Sequence, residues 1–310
     1  MKKLMLTILI ASCMATAQAR LDEGADAYEA GNYALALKEF QALAKKGNAT
    51  AQYNLAQMYR KGKGVPANDA QAVSWYRKAA EQGYGDAQFN LGFMYANGKG
   101  IKQDYVQAAN WYRKAAEQNY AYAQFNLGYM YENGQGMKRD YEQALLWYRA
   151  AAEQEHAGAQ TNLGYLYQNG LGVPKDFKQA IYWYRAAAEQ GDTTAQNNLG
   201  LLYGSGHGVK QDYAQAVSWF RKAAELGDTE AQNNLGFMYA NGQGVPQNKV
   251  IAYALYALAA PDLNHARENR DLTASKLTEK QIQAAQTLGK EMVKPNNLNN
   301  AIAAYLKKPV

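Results

Sequence analysis

The strongest constraint on this chain is a fixed period. Alignable Ala-Gln pairs begin at Ala51, Ala87, Ala123, Ala159, Ala195 and Ala231, each 36 residues after the last. Asn, Leu, Gly and Tyr return in phase, as in Asn90, Leu91, Gly92 and Tyr95. A period between about 20 and 50 residues means stacked supersecondary units. The 310 residues therefore do not require two domains, because a solenoid lengthens by adding units instead of enlarging one core.

Within each period the pattern is helical. Ala72, Trp75, Tyr76, Ala79 and Ala80 fall at i, i+3, i+4, i+7 and i+8, one apolar stripe, and later periods copy it. Trp75, Trp111, Trp147, Trp183 and Trp219 share one phase, which predicts core positions rather than one binding site. A glycine pair such as Gly98-Lys99-Gly100 separates the two helices of each period; after a helix, glycine supplies the positive φ that ends it, so these are not phosphate loops. Four residues past the second glycine stands Asn68, Asp104, Asp140, Asp176, Asp212 or Asn248. With Gln71, Gln107, Gln143, Gln179 or Gln215 three further on in the first five copies, this predicts an N-cap with a capping-box partner. The second helix should end at Gly83, Asn119, Glu155, Gly191 and Gly227. Glu155 is costly in a left-handed cap, so the repeat near Ala159 is expected to start irregularly.

The first residues have the form of a bacterial secretory signal: Lys2-Lys3, an apolar run from Leu4 to Ala11, and small-x-small sites at Ala15-Thr16-Ala17 and Ala17-Gln18-Ala19. The run is too short for the roughly 20 residues of a membrane span. Cleavage would place the mature chain near Arg20, in the periplasm or outside the cell. Ile10-Ala11-Ser12-Cys13 also resembles a lipobox, so a lipid anchor at Cys13, the only cysteine, stands as the alternative. The net charge of +6 is a mild excess. Arg77-Lys78, Arg113-Lys114 and Arg221-Lys222 are each followed by an acid such as Glu81, Glu117 or Glu225. They read as solvated helix pairs, not a nucleic-acid footprint.

The organisation expected is a signal over 1–19, an N-terminal capping hairpin over 20–47, 36-residue repeats over 48–260, and C-terminal capping helices with a tail over 261–310. The capping hairpin comprises Leu21 to Ala30 and Tyr33 to Lys46, while Thr278-Glu279-Lys280-Gln281 reads as a capped helix start. The A-x-x-x-L-G-x-x-Y helix, the G-x-G-V-x-x-D loop and the A-x-x-W-Y-x-x-A-A helix together resemble the Sel1-like repeat, a relative of the tetratricopeptide repeat. The resemblance implies an all-α, right-handed α-solenoid superhelix acting as an interaction adaptor, and for envelope members a part in complex assembly, surface remodelling or host contact.

No catalytic or cofactor motif accompanies the repeats. Ser-x-x-Lys and His-Glu-x-x-His are absent, and His156, His207 and His265 are scattered in phase. A non-enzymatic scaffold with a protein or peptide partner is the expectation, without cofactor, metal or nucleic acid. The alternatives are a peptidoglycan- or glycan-binding module and, less favoured, a cell-wall or β-lactam hydrolase. On the first helix of the repeat, Ala87, Leu91 and Tyr95 share one side, whereas Phe89 and Phe93 fall on the other, at about 100° per residue. Tyr53, Phe89, Phe93, Phe125, Tyr129, Tyr165 and Phe237 are accordingly expected to line a concave groove. Thr161, Asn197 and Asn233 replace the first aromatic in later copies, predicting a more polar C-terminal half.

Overall fold

A computed structural model describes residues 2–307, with side chains from residue 15 onward. Cys13 and the apolar run before it lie outside the described side chains. Among the described residues there are seventeen α-helices and no strand. α1 (Lys2–Glu29) and α2 (Tyr33–Lys45) come first. Then A and B helices alternate: α3 (Ala49–Lys61) and α4 (Asp69–Glu81), α5 (Gly85–Asn97) and α6 (Tyr105–Glu117), α7 (Ala121–Asn133) and α8 (Tyr141–Ala152). They continue as α9 (Ala157–Asn169) and α10 (Phe177–Glu189), α11 (Thr193–Ser205) and α12 (Tyr213–Glu225), α13 (Thr229–Asn241) and α14 (Lys249–Ala259). α15 (Asn264–Ala274), α16 (Glu279–Met292) and α17 (Leu298–Leu306) follow. This is the all-α repeat solenoid that the period predicts. The chain forms two compact units, Met1–Ala150 and Ala151–Val310, built on the same repeat. The first helix does not begin at Leu21 but runs through the Ala-rich junction from Lys2, where neither Pro nor Gly precedes Gly24 to interrupt it.

Each signature residue has a packing task. The B-helix Tyr112 is 3% exposed and its ring lies against the A-helix backbone at Gly92, where an added Cβ would stand 2.8 Å from a ring carbon. Gly128 with Tyr148, Gly164 with Tyr184 and Gly236 with Tyr256 repeat the arrangement. A mid-helix glycine costs about 1 kcal/mol against alanine, and here it lets a large ring reach the helix axis. The Gln of Ala-Gln ties each A helix to the B helix before it: Gln88 Nε2 donates to Ala80 O at 3.1 Å, and Gln196 Nε2 to Ala188 O at 3.0 Å. The motif Tyr secures the same joint from the other side, since Arg77 donates to the Tyr95 hydroxyl at 2.8 Å and Arg185 to that of Tyr203 at 2.7 Å.

Four local expectations need correction. The N-cap side chains are as predicted, Asp104 Oδ1 accepting from Gln107 N at 3.0 Å, but Gln107 does not reach back in a capping box. The Asp104 N–H is already taken by Tyr95 O at 3.0 Å, and Asn68, Asp140, Asp176, Asp212 and Asn248 bond likewise to the A-helix tyrosine nine residues earlier. Among the described caps, the Thr278–Gln281 start, whose N–H has no such partner, forms the reciprocal box. The five tryptophans are half-buried, not core. They sit at the rim of the stripe with Lys78, Lys114 and Lys222 about 4 Å over the rings of Trp75, Trp111 and Trp219. The Arg-Lys pairs are therefore engaged by aromatic rings and tyrosine hydroxyls, and none forms an ion pair with the glutamate that follows it. Finally, Glu155 does adopt the left-handed cap, at φ 64, yet α9 starts regularly because His156 caps it, Nδ1 accepting from Ala159 N at 3.1 Å.

Candidate functional site

The aromatic positions of the A helices divide into two classes. Tyr53, Phe89 and Phe125, one per A helix in the first unit, are half-buried. Each leans on the interior B-helix tyrosine of its own repeat: Tyr53 on Tyr76 with centroids 5.9 Å apart, Phe89 on Tyr112 at 5.8 Å, and Phe125 on Tyr148 at 5.9 Å. Burial pushes the Tyr76, Tyr112 and Tyr184 phenols well above their ordinary range, and that of Tyr256 up to about 12. These hydroxyls are structural protons, not acid catalysts at neutral pH.

One turn further along, the side chains reach solvent. Tyr129 in the first unit is 45% exposed; Tyr165 and Phe237 in the second are 46% and 49%. Leu201, also 45% exposed, holds the intervening register, which an aromatics-only reading of the sequence passes over. Phe93 belongs to this register but is half-buried beneath Lys99, whose Nζ is 5.4 Å from the ring centre. The expected polar half of the groove does not present itself at the first-aromatic positions, because Thr161, Asn197 and Asn233 are buried. Asn197 Oδ1 accepts from Asn234 and Asn233 Oδ1 from Asn269, so this polarity is consumed between helices of the second unit.

Two features were missed from the sequence. Tyr84 and Tyr120 occupy the A-helix N-cap register, and with the exposed Tyr122 they widen the aromatic surface of the first unit: Tyr84 lies 5.2 Å from Tyr53, and Tyr122 lies 6.3 Å from Phe89. The signal was available as a departure from the Asn or Asp found at Asn48, Asp192 and Asp228. In the second unit an apolar pocket of about 310 Å³ opens between α11 and α13, lined by Gly200, Leu201, Gly204, Phe220 and Phe237. In the first unit the Tyr148 hydroxyl donates to Glu132 at 2.5 Å. Two periods later Phe220 and Gly204 stand in those places, so the hydroxyl and the carboxylate are both missing and the space is left open.

The histidines serve local structure. His156 caps α9, His207 stacks on Phe177 at 4.9 Å, and His265 Nε2 lies 3.3 Å from Glu230 Oε2. Among the described residues no three His, Cys, Asp or Glu side chains gather where they could hold a metal, and no helix is long and apolar enough to cross a membrane.

Stacked A/B hairpins with outward-facing aromatic side chains define the class: an α-solenoid built to present a surface. Comparison with known proteins gives the family. The Sel1 repeat model matches residues 49–84, 85–120, 121–156, 157–192, 193–228 and 229–260, and the chain belongs to the Sel1 repeat family, whose fold is generally a non-catalytic scaffold for protein interactions. A crystal structure of a Sel1 repeat protein from Oxalobacter formigenes is 37% identical, with 77% of this chain and 96% of that one covered and a TM-score of 0.69. A protective antigen of uropathogenic Escherichia coli with an SLR fold is 34% identical over 95% of this chain and 72% of its own, with a TM-score of 0.62. Among curated proteins no match is found.

Proposed function

We propose that the chain is a non-enzymatic scaffold of the bacterial cell envelope that holds an extended segment of a partner protein against its A-helix side chains. The observation that supports this reading is that one A-helix register leaves Tyr165, Leu201 and Phe237 exposed on three successive A helices of the second unit, as it leaves Tyr129 in the first. Rigid rings on a helical framework offer contact area at low entropic cost, the property that makes such residues binding anchors. The envelope assignment rests on Lys2-Lys3, the apolar run and the small-x-small sites before Arg20, and is supported by the likeness to an antigen of a pathogenic bacterium.

Simultaneous replacement of Tyr129, Tyr165, Leu201 and Phe237 by alanine tests the reading. Because these side chains are about half in solvent, far-UV circular dichroism and the melting midpoint should stay close to wild type. Binding to a fluorescein-labelled pool of unstructured nine-residue peptides should be lost. Unaltered peptide binding by the quadruple variant would place the binding surface elsewhere. Retention of the wild type on insoluble peptidoglycan, with no peptide binding, would favour the glycan-binding alternative, in which the same rings stack on sugar faces.

A further inference from the structure

The A helices of the first unit break the array's own capping rule in two consecutive places. Asn48, His156, Asp192 and Asp228 each accept the backbone N–H three residues on, whereas Tyr84 and Tyr120, the N-caps of α5 and α7, give no side-chain cap. An oxygen-bearing cap contributes measurably to helix stability, and its surrender twice in succession is the kind of local inconsistency that marks a site. A second concession goes with it. Gly85 opens α5 because the Tyr120 ring lies where its Cβ would be.

These concessions set the Tyr120 ring beside Asp86 and the Tyr84 ring against Tyr53. The Tyr120 hydroxyl donates to Asp86 Oδ2 at 3.5 Å, and the Tyr84 ring stands 5.2 Å from that of Tyr53. All three phenols are raised first by burial and next by the charge of Asp86; the Tyr53 hydroxyl itself accepts from Gln57 at 2.9 Å. Asp86 has no ion-pair partner among the described residues. Arg60, the cation that reaches Tyr53, is hydrogen-bonded to Asn90 Oδ1 at 3.1 Å. In the second unit the same register of the repeat holds Glu230, again in the first turn of an A helix, and there the carboxylate meets the imidazole of His265 at 3.3 Å. A carboxylate placed so can thus hold a basic group despite the positive end of its own helix.

We propose that Tyr53, Tyr84, Tyr120 and Asp86 form a receptor for one cationic side chain, lysine or arginine, carried by the segment that the scaffold binds. The inference rests on the peptide-binding reading above and adds the charge of the ligand. The ring faces attract the cation electrostatically, and Asp86 accepts a charge-assisted hydrogen bond from it. The cations of the neighbouring B helices are directed to other groups, Arg77 and Lys78 to Tyr95 and Trp75, and Arg113 and Lys114 to Tyr131 and Trp111.

Two fluorescein-labelled pools of Gly-X-Arg-X-Gly peptides test the proposal, X being any uncharged residue and the second pool carrying citrulline, the neutral isostere, in place of arginine. Fluorescence anisotropy with the full chain should show about tenfold tighter binding of the arginine pool. Asp86→Asn should abolish that preference while leaving the weaker citrulline binding in place. Tyr84→Asn, which supplies the cap that Asn48 provides in α3, should also abolish it without lowering the melting midpoint, so loss of binding cannot be ascribed to misfolding. Equal binding of both pools by the wild type overturns the cation receptor and leaves the peptide scaffold standing. Binding of neither pool overturns both, and binding of chitotetraose in their stead would show that the rings receive a sugar.

Discussion

Gln190 Nε2 donates to Gln160 Oε1 at 2.9 Å, tying the end of the B helix to the A helix of the same period. Gln82 with Gln52 and Gln118 with Gln88 form the same bond at 2.7 Å. One period beyond Gln190 the ladder stops: Leu226 stands where the donor belongs, 57% exposed, and Gln196 Oε1 is buried without a partner. Leu226→Gln should restore the bond and stabilise the chain by about 1 kcal/mol. The urea midpoint should rise with an unchanged m-value; an unchanged or lower midpoint would show that Gln196 is satisfied in another way.

Glu155 at φ 64 holds the place that Gly83, Gly191 and Gly227 hold in other periods. A left-handed conformation costs a β-carbon residue on the order of 1 kcal/mol. Glu155→Gly should therefore raise the unfolding free energy by roughly that amount, read from urea denaturation. A loss of stability would mean that the glutamate side chain makes a contact worth more than the strain.

The neighbouring His156 links stability to pH. Its Nδ1 caps α9 as an acceptor, which requires the unprotonated form, and burial lowers its pKa below the usual histidine value. In the window between the folded and unfolded pKa values the unfolded chain binds more protons, so stability rises with pH there. The contribution is complete above about 6.5, the unfolded value, and is lost as pH falls through the window beneath it. His156→Asn, a pH-independent cap, should flatten the dependence of the urea midpoint between pH 7 and pH 5; an equal slope in both proteins would refute the assignment.

Gly98 and Gly100 separate two demands made on the same loop. Both have positive φ, but a Cβ at Gly98 would meet its nearest neighbour at 3.3 Å, whereas one at Gly100 would collide with the Asp69 backbone of the preceding period. Gly98→Ala should cost about 1 to 2 kcal/mol for the dihedral alone. Gly100→Ala should cost a further 1 to 3 kcal/mol or so for the overlap. Equal losses would show that the loop can withdraw from Asp69.

Periodicity made the helices, their glycine ends and the Asn or Asp caps legible, because each depends on residues close in sequence. What escaped involved bonds to another helix. Nothing within the run from Asp104 to Gln107 reveals that the Asp104 N–H is engaged by Tyr95, and nothing in the tryptophan phase distinguishes a buried ring from one roofed by a lysine. The candidate surface was legible in the same measure. Helical phase separated Phe89 and Phe93 from the buried side of α5, but only packing shows that Phe89 rests on Tyr112 while Tyr129 is about half in solvent. Tyr84 and Tyr120 were overlooked because a search for core and groove residues within helices passes over the positions just before them.

The last helix is held differently from the rest. Both oxygens of Glu225, on α12, accept from the first amides of α17, Leu298 N at 3.2 Å and Asn299 N at 2.8 Å, across more than seventy residues of chain. Buried Leu298, Ala301 and Ile302 join the same apolar cluster as α12, α14 and α16. A gene duplication that appended another period after α14 would find its stacking face already occupied by α15 and α16, and would have to evict them together with α17. Lineages of this protein can therefore gain or lose periods in the interior of the array far more readily than beyond α14, and variation in repeat number among its descendants should be found there.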